Sequence, residues 1–113
     1  MESTTIIAAV SDLLFRGKIR AVREDGIEFV RSRERTLERV GEAGPRLLIV
    51  DLALKEDPIG LIAAVRAGHP ELPILAFGSH VETELFDQAR EAGASTVMPR
   101  SQFVRELPEL LGA

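Results

Sequence analysis

Short, strongly apolar runs alternate with segments of helical periodicity along all 113 residues, and this alternation restricts the fold more than any other feature. The run 47–50 (Leu-Leu-Ile-Val), which follows Gly44 and Pro45, contains only branched apolar residues. Such a run is typical of a strand that is buried on both faces of a parallel sheet. Functional groups of open α/β sheets gather beyond the carboxyl ends of the strands. The residue at that end of this strand is Asp51.

Five strand patterns and five helix patterns follow one another along the chain. Strands are predicted at 5–10, 27–30, 47–51, 73–77 and 95–98, and helices at 12–24, 33–42, 58–67, about 79–92 and 102–111. The predicted N-caps are Ser32, Asp57, Ser79 (in a capping box with Glu82) and Ser101, while Pro108 is expected to break or kink the last helix. This order predicts a single domain over residues 1–113. Its fold would be a flavodoxin-like, doubly wound (βα)₅ domain with a parallel five-stranded sheet.

The composition excludes several classes of protein. An apolar content of 45% and a charged content of 28% fit a globular domain. The absence of cysteine rules out disulfides and thiolate zinc sites, and the segment Met1–Thr5 lacks the basic region of a secretory signal, so we expect a cytoplasmic protein without a membrane segment. The net charge of −4, the lack of Trp and Tyr and the acidic residues among the arginines argue against nucleic-acid binding.

The predicted strand ends bring a small set of polar and loop residues to one edge of the sheet. They are Ser11 and Asp12 after the first strand, Asp51, Gly78, Ser79 and His80 after the fourth strand, and Met98, Pro99 and Arg100 after the fifth. A carboxylate at the position of Asp51 suits a phosphoryl acceptor, a metal ligand or a general base. Alternatively, Asp51 closes its strand and binds the backbone of the next loop. His80 could be a site residue or a protonation sensor, although an exposed loop histidine is the more frequent case.

At these strand ends the chain resembles the receiver domains of bacterial two-component response regulators. The resemblance spans the whole chain and rests on the segments 47–51 (Leu-Leu-Ile-Val-Asp), 72–77 (Leu-Pro-Ile-Leu-Ala-Phe) and 92–99, in which Ala-Gly-Ala precedes a short strand and Pro. It implies that two acids after the first strand and an acceptor Asp hold Mg²⁺. It also implies a Thr or Ser at the end of the fourth strand and a Lys before the Pro of the fifth. The metal and the cation neutralise charge during phosphoryl transfer.

This sequence meets that pattern only in part. Asp51 matches the acceptor, and Asp12 supplies one acid beside Ser11. Gly78 stands at the hydroxyl position, with Ser79 one residue later, and Met98 stands at the position of the Lys before Pro99. Loss of the Lys removes a charge-assisted contact worth roughly 1.5–3 kcal/mol, and fewer carboxylates should weaken Mg²⁺ binding at Asp12 and Asp51. We expect Arg100 to point to solvent; the alternative is that it replaces the missing cation.

The resemblance therefore predicts an atypical receiver, or pseudo-receiver. We expect a free-standing, non-enzymatic module of a phosphorelay that acts through contacts with a sensor kinase or a downstream signalling protein, with phosphotransfer weak or lost. One alternative is an active response regulator that is phosphorylated on Asp51 with Mg²⁺. A second is a small flavodoxin-like ligand-binding protein or enzyme, which the absence of a Gly-rich phosphate loop disfavours. A homodimer is compatible with the sequence, and no cofactor other than weakly bound Mg²⁺ is expected.

Overall fold

Strands and helices alternate along the chain in the computed structural model, which describes residues 5–112. The prediction made for the N-terminal segment thus lies outside the described residues, apart from Thr5. The elements are β1 (Ile6–Ala9), α1 (Leu13–Val22), β2 (Ile27–Val30), α2 (Arg33–Ala43), β3 (Leu47–Asp51), α3 (Pro58–Gly68), β4 (Ile74–Gly78), α4 (Thr83–Ala92), β5 (Thr96–Pro99) and α5 (Arg100–Leu110). No helix within the described range is long and apolar enough to cross a membrane.

All five strands are parallel and form one sheet in the order β2-β1-β3-β4-β5, which confirms the predicted flavodoxin-like architecture. The order reverses between β1 and β3, and ligand sites of such sheets lie beyond the carboxyl ends of the strands at this point. Asp51 is the last residue of β3 and is paired with Phe77 of β4. Gly78 is paired with Pro99 in the same way. The register thus aligns the predicted site residues along one edge.

Two apolar layers cover the two faces of the sheet, because successive strand residues point to opposite faces. Ile19 of α1 and Phe103 and Leu107 of α5 pack on one face. Val40, Leu61, Ile62, Val65, Phe86 and Ala89, which belong to α2, α3 and α4, pack on the other. The rings of Phe77 and Phe103 are stacked, with centroids 4.1 Å apart. This double burial explains why the central strands β1, β3 and β4 are nearly continuous apolar runs, whereas the outer strands β2 and β5 are less buried.

Two of the four predicted N-caps are observed. The Ser32 hydroxyl accepts a hydrogen bond from the Arg35 N–H at 3.1 Å, and the Asp57 carboxylate accepts one from the Gly60 N–H at 3.0 Å. Asp57 is exposed, which supports its interpretation as a cap rather than a metal ligand. Both side chains follow the general preference for short oxygen-bearing residues at this position.

The other two predicted caps are wrong. Ser79 does not cap α4, because the Glu82 N–H donates to the Ser79 carbonyl at 3.0 Å in a tight turn and the helix begins only at Thr83. Ser101 lies inside α5, which begins one residue earlier with Pro99 as its N-cap. Pro108 is also within α5 and does not end it, since the helix continues to Leu110.

Candidate functional site

Asp51 is the central residue of the candidate site at the carboxyl edge of the sheet. It is only 2% exposed, and its Oδ1 accepts a hydrogen bond from the Ala53 N–H at 2.9 Å. The carboxylate therefore binds the backbone of the following loop, as the simpler interpretation of the sequence predicted. Burial raises the pKa of Asp51, and the negative charge of Asp12 raises it further, while the Ala53 N–H and the positive charge of Arg100 lower it.

Asp12 lies in the loop after β1 and serves as the N-cap of α1. Its Oδ1 accepts hydrogen bonds from the N–H groups of Leu14 at 2.8 Å and Phe15 at 3.3 Å, and the side chain is exposed. Residues 5–112 contain no group of three or more acidic, His or Cys side chains placed to hold a metal ion. One of the two candidate carboxylates is thus a helix cap and the other is buried. This donor set does not fit a resident Mg²⁺ centre.

Gly78 stands where the resemblance implies a hydroxyl, and its surroundings leave little room for one. A Cβ at this position would lie 3.3 Å from the Cβ of Leu52 and 3.3 Å from a ring carbon of Phe86. Both distances are shorter than ordinary van der Waals contacts, so a side chain here requires its neighbours to move. Leu52 and Phe86 are buried members of the core between the sheet and α2, α3 and α4. Their packing at Gly78 could not be inferred from local sequence.

Met98, which stands at the implied position of the lysine, is part of the opposite apolar layer. It is 3% exposed and belongs to the same core cluster as Phe77 and Phe103. Pro99 ends β5 and is at the same time the N-cap of α5. The strand therefore contributes an apolar side chain, rather than a cation, to this edge.

Arg100 does not point freely to solvent, and that expectation is wrong. The residue is partly buried, and its Nε is fully buried without a hydrogen-bond partner among the described residues. The guanidinium carbon lies 5.6 Å from the ring centroid of Phe15. Its charge lowers the pKa of Asp51, so it lies within electrostatic reach of the carboxylate. The helix begins directly at Arg100, which directs this side chain back over the strand ends.

The loop after β4 contains the remaining predicted site residues. Ser79 is partly buried and forms the tight turn described above, whereas His80 is exposed, as the more frequent case for a loop histidine predicted. Val81 is 71% exposed. Three large apolar side chains are thus accessible around this edge, since Leu13 and Leu14 at the start of α1 are 79% and 64% exposed. The apolar pattern of α1 did not distinguish these two leucines from the core-facing residues.

A shallow groove of about 690 Å³ lies at the opposite edge of the sheet, remote from Asp51. It is lined by the ends of α2 and α3 and by the segments that lead into β3 and β4, including Pro45, His69 and Pro73. A second groove, of about 560 Å³, follows the start of α4 from Val81 to Gln88. Neither groove includes Asp51, Arg100 or Met98.

Solved structures of similar fold include receiver domains of response regulators. A response regulator from Hahella chejuensis is 24% identical, with a TM-score of 0.82, over 96% of this chain and 92% of that chain. The receiver domain of NtrX from Brucella abortus is 21% identical, with a TM-score of 0.78, over 95% of this chain and 94% of that chain. The isolated REC domain of RcsB from Salmonella enterica serovar Typhimurium was solved in the presence of the phosphomimetic BeF₃⁻. It is 18% identical, with a TM-score of 0.77, over 96% of this chain and 86% of that chain.

These similarities establish the fold. The chain has the fold of response regulator receiver domains, as its motifs predicted. Against a longer NtrX chain the match covers 28% of that chain. No protein-family model and no curated protein sequence matches.

Proposed function

We propose that this chain is an atypical receiver module, located in the cytoplasm, that transmits signals through contacts with other proteins. In this proposal phosphoryl transfer to Asp51 is weak or lost, and the chain catalyses no reaction of its own. A single observation carries the proposal. The two positions at which the resemblance implies a hydroxyl and a cation, Gly78 and Met98, are parts of the two apolar layers of the core.

The position of Gly78 supports the loss of a phosphorylation-dependent switch. A hydroxyl that binds a new phosphoryl group and moves with it needs both a side chain and space for that side chain. Leu52 and Phe86, each with an atom 3.3 Å from a Cβ built on Gly78, would have to move by a few tenths of an ångström to admit such a side chain. The surrounding core is thus packed for the glycine.

The burial of Met98 supports weak phosphoryl transfer. A thioether in an apolar layer cannot donate a charge-assisted hydrogen bond, which is worth roughly 1.5–3 kcal/mol. Removal of one electrostatic contact of this kind typically slows a transfer reaction by about 10²- to 10³-fold. Asp12 should weaken phosphoryl transfer further, because its carboxylate already accepts hydrogen bonds from the backbone in the first turn of α1.

Accessible apolar side chains at the same edge support a role in protein binding. Leu13, Leu14 and Val81 all follow carboxyl ends of strands and are largely exposed. Exposed apolar residues that lie together frequently mark sites of protein interaction. We propose that the partner is a sensor kinase or a downstream signalling protein.

A direct test is intact-protein mass spectrometry after incubation with a small acyl phosphate and Mg²⁺. Wild type, Asp51→Asn and the exposed control Asp57→Asn are compared. We expect no phosphoryl adduct that depends on Asp51. A stoichiometric adduct in wild type and Asp57→Asn, but not in Asp51→Asn, would overturn the proposal. The protein-binding part is tested separately by comparing the partners captured by wild type and by a Leu13→Ser, Leu14→Ser variant, with and without Mg²⁺.

A second candidate, an active response regulator phosphorylated on Asp51 with Mg²⁺, is favoured by one observation. Arg100 brings a positive charge within electrostatic reach of the carboxylate, although the strand position next to Pro99 is apolar. If Arg100 serves as the missing cation, the adduct on Asp51 should form in wild type and be strongly reduced in Arg100→Gln. Arg105→Gln, an exposed position on the same helix, is the matched control.

A further inference from the structure

Two arginines lie against one aromatic ring at the edge of the sheet, outside the site of Asp51, and a third acts electrostatically on one of them. Phe29 lies on the edge strand β2 and faces α1. The guanidinium carbon of Arg16 is 5.1 Å from its ring centroid, and that of Arg20 is 4.7 Å away. The two guanidinium carbons therefore lie against the same ring and are at most about 10 Å apart. Arg31 follows β2 directly, and its charge also acts on Arg16.

The charges of Arg20 and Arg31 both act unfavourably on the charge of Arg16. Burial lowers the pKa of Arg16, and the charges of Arg31 and Arg20 lower it further. Stacking on an aromatic face offsets only part of such repulsion, since a cation–π contact at an accessible site contributes about 0.5–1 kcal/mol. The cluster is thus electrostatically unfavourable unless a negative charge lies beside it.

The described part of the chain forms no ion pair with these three arginines. Its ion pairs involve Arg35, Arg39 and Arg90, and none involves Arg16, Arg20 or Arg31. The segment of α1 from Leu13 to Val22 contains no acidic residue. The Nε of Arg16 donates to the carbonyl of Val10 at 2.5 Å, which anchors this side chain and leaves its two terminal nitrogens for another acceptor.

The opposite face of the same strand shows the contrast. Glu28, the neighbour of Phe29 on β2, binds Arg39 of α2 through two hydrogen bonds of 2.6 and 2.9 Å. The cation on that face therefore has a carboxylate partner within the chain. The chain as a whole has more acidic than basic residues, as its net charge of −4 shows. The arginines around Phe29 have no such partner.

We propose that Arg16, Arg20 and Arg31 form a binding site for a phosphate monoester, with Phe29 as the platform that orients the guanidinium groups. A phosphate monoester has close to two negative charges and three acceptor oxygens, which matches three planar donors better than one carboxylate does. The site is independent of phosphoryl transfer to Asp51. The phosphate group could belong to a free ester or to a phosphorylated protein.

The test is titration calorimetry with inorganic phosphate at low, constant ionic strength, with acetate as the monoanionic control. We expect phosphate to bind the wild type and acetate to bind far more weakly. Arg20→Gln and Arg31→Gln, both at accessible positions, should each lower the affinity for phosphate by about tenfold, the effect of one charge-assisted hydrogen bond. Arg105→Gln removes the same charge from α5, which packs on α1, β5 and β4. Among the described residues Arg105 has no contact with the Phe29 ring and is not one of the charges that act on Arg16, so this variant should leave the affinity within about twofold of wild type.

Three results would overturn the proposal: no binding of phosphate, equal losses in Arg20→Gln and Arg105→Gln, or a loss in Arg100→Gln as large as in Arg20→Gln. The last result would place the phosphate beside Asp51 instead. Circular dichroism of each variant separates loss of binding from loss of fold. Where the site is supported, a phosphoserine peptide that binds more tightly than inorganic phosphate assigns the ligand to a protein, and equal affinities assign it to a free ester.

Discussion

Replacing the buried carboxylate of Asp51 by an amide should stabilise the protein at neutral pH. The side chain is 2% exposed and accepts one backbone hydrogen bond, from the Ala53 N–H at 2.9 Å. Asn preserves the shape and the acceptor oxygen but removes the charge that burial disfavours. Each unit by which burial raises the pKa corresponds to 1.36 kcal/mol. We expect the lost desolvation of the charge to exceed the cost of a buried amide N–H, so the free energy of unfolding should rise by about 1 kcal/mol, the amount by which single substitutions typically change it.

The change in the free energy of unfolding caused by Asp51→Asn should also depend on pH. Because the pKa of Asp51 is raised in the folded state, the native protein binds a proton more tightly than the unfolded chain. The stability that this proton contributes is fully present below the ordinary pKa of 3.8 and is lost as the pH rises through the folded-state pKa. The advantage of Asp51→Asn should therefore be smallest in acid and increase with pH to a plateau.

Urea denaturation followed by far-ultraviolet circular dichroism measures this difference over a pH series in a metal-free buffer. Asp57→Asn is the matched control, since the Asp57 carboxylate also accepts one backbone N–H but is exposed. Asn caps helices as well as Asp does, so the control should stay within about 0.5 kcal/mol of wild type. An Asp51→Asn protein that is less stable than wild type at every pH, or a difference that does not change with pH, would refute the argument.

Three further substitutions test the packing, each by urea denaturation. Phe103→Ala removes a fully buried, stacked ring and should cost about 3–5 kcal/mol; a loss below 1 kcal/mol would contradict its place in the core. Gly78→Thr forces a side chain against Leu52 and Phe86 and should cost about 1–3 kcal/mol, whereas a neutral result would show that this space is open. Glu28→Gln breaks an ion pair whose side chains are 31% and 26% exposed and should cost less than about 1 kcal/mol. Its hydrogen bond to the arginine lowers the pKa of Glu28, so this cost should be present above the ordinary pKa of 4.5 and vanish as the pH falls through the folded-state value.

The fold could be predicted because the decisive signals are local. The bounds of β2 and β3 agree with the prediction residue by residue, since each strand is a short, mostly apolar run between turn residues. The N-caps at Ser32 and Asp57 could also be predicted, because an N-cap depends only on one side chain and the backbone N–H three residues later.

The start of α4 shows where local signals fail. Ser79 and Glu82 have the spacing of a capping box, but the same two residues also suit a tight turn, and the backbone hydrogen bond between them closes that turn. The sequence alone does not decide between a capping box and a tight turn, because the choice depends on the position of the end of β4 relative to the start of α4. The available space at Gly78 is likewise set by Leu52 and Phe86, which are distant in sequence or on another element.

The orientation of Arg100 is the point at which tertiary structure changes the interpretation of the site. Alone, a partly buried guanidinium with an unpartnered Nε is unfavourable, and so is a buried carboxylate. The charge of Arg100 lowers the pKa of Asp51 and so offsets part of the increase that burial causes, without reversing it. Tertiary structure thus places a cation within electrostatic reach of Asp51, at an edge where Gly78 and Met98 are packed into the apolar core. The sequence around Pro99 did not predict this placement, because the direction of the Arg100 side chain depends on where α5 begins over the strand ends.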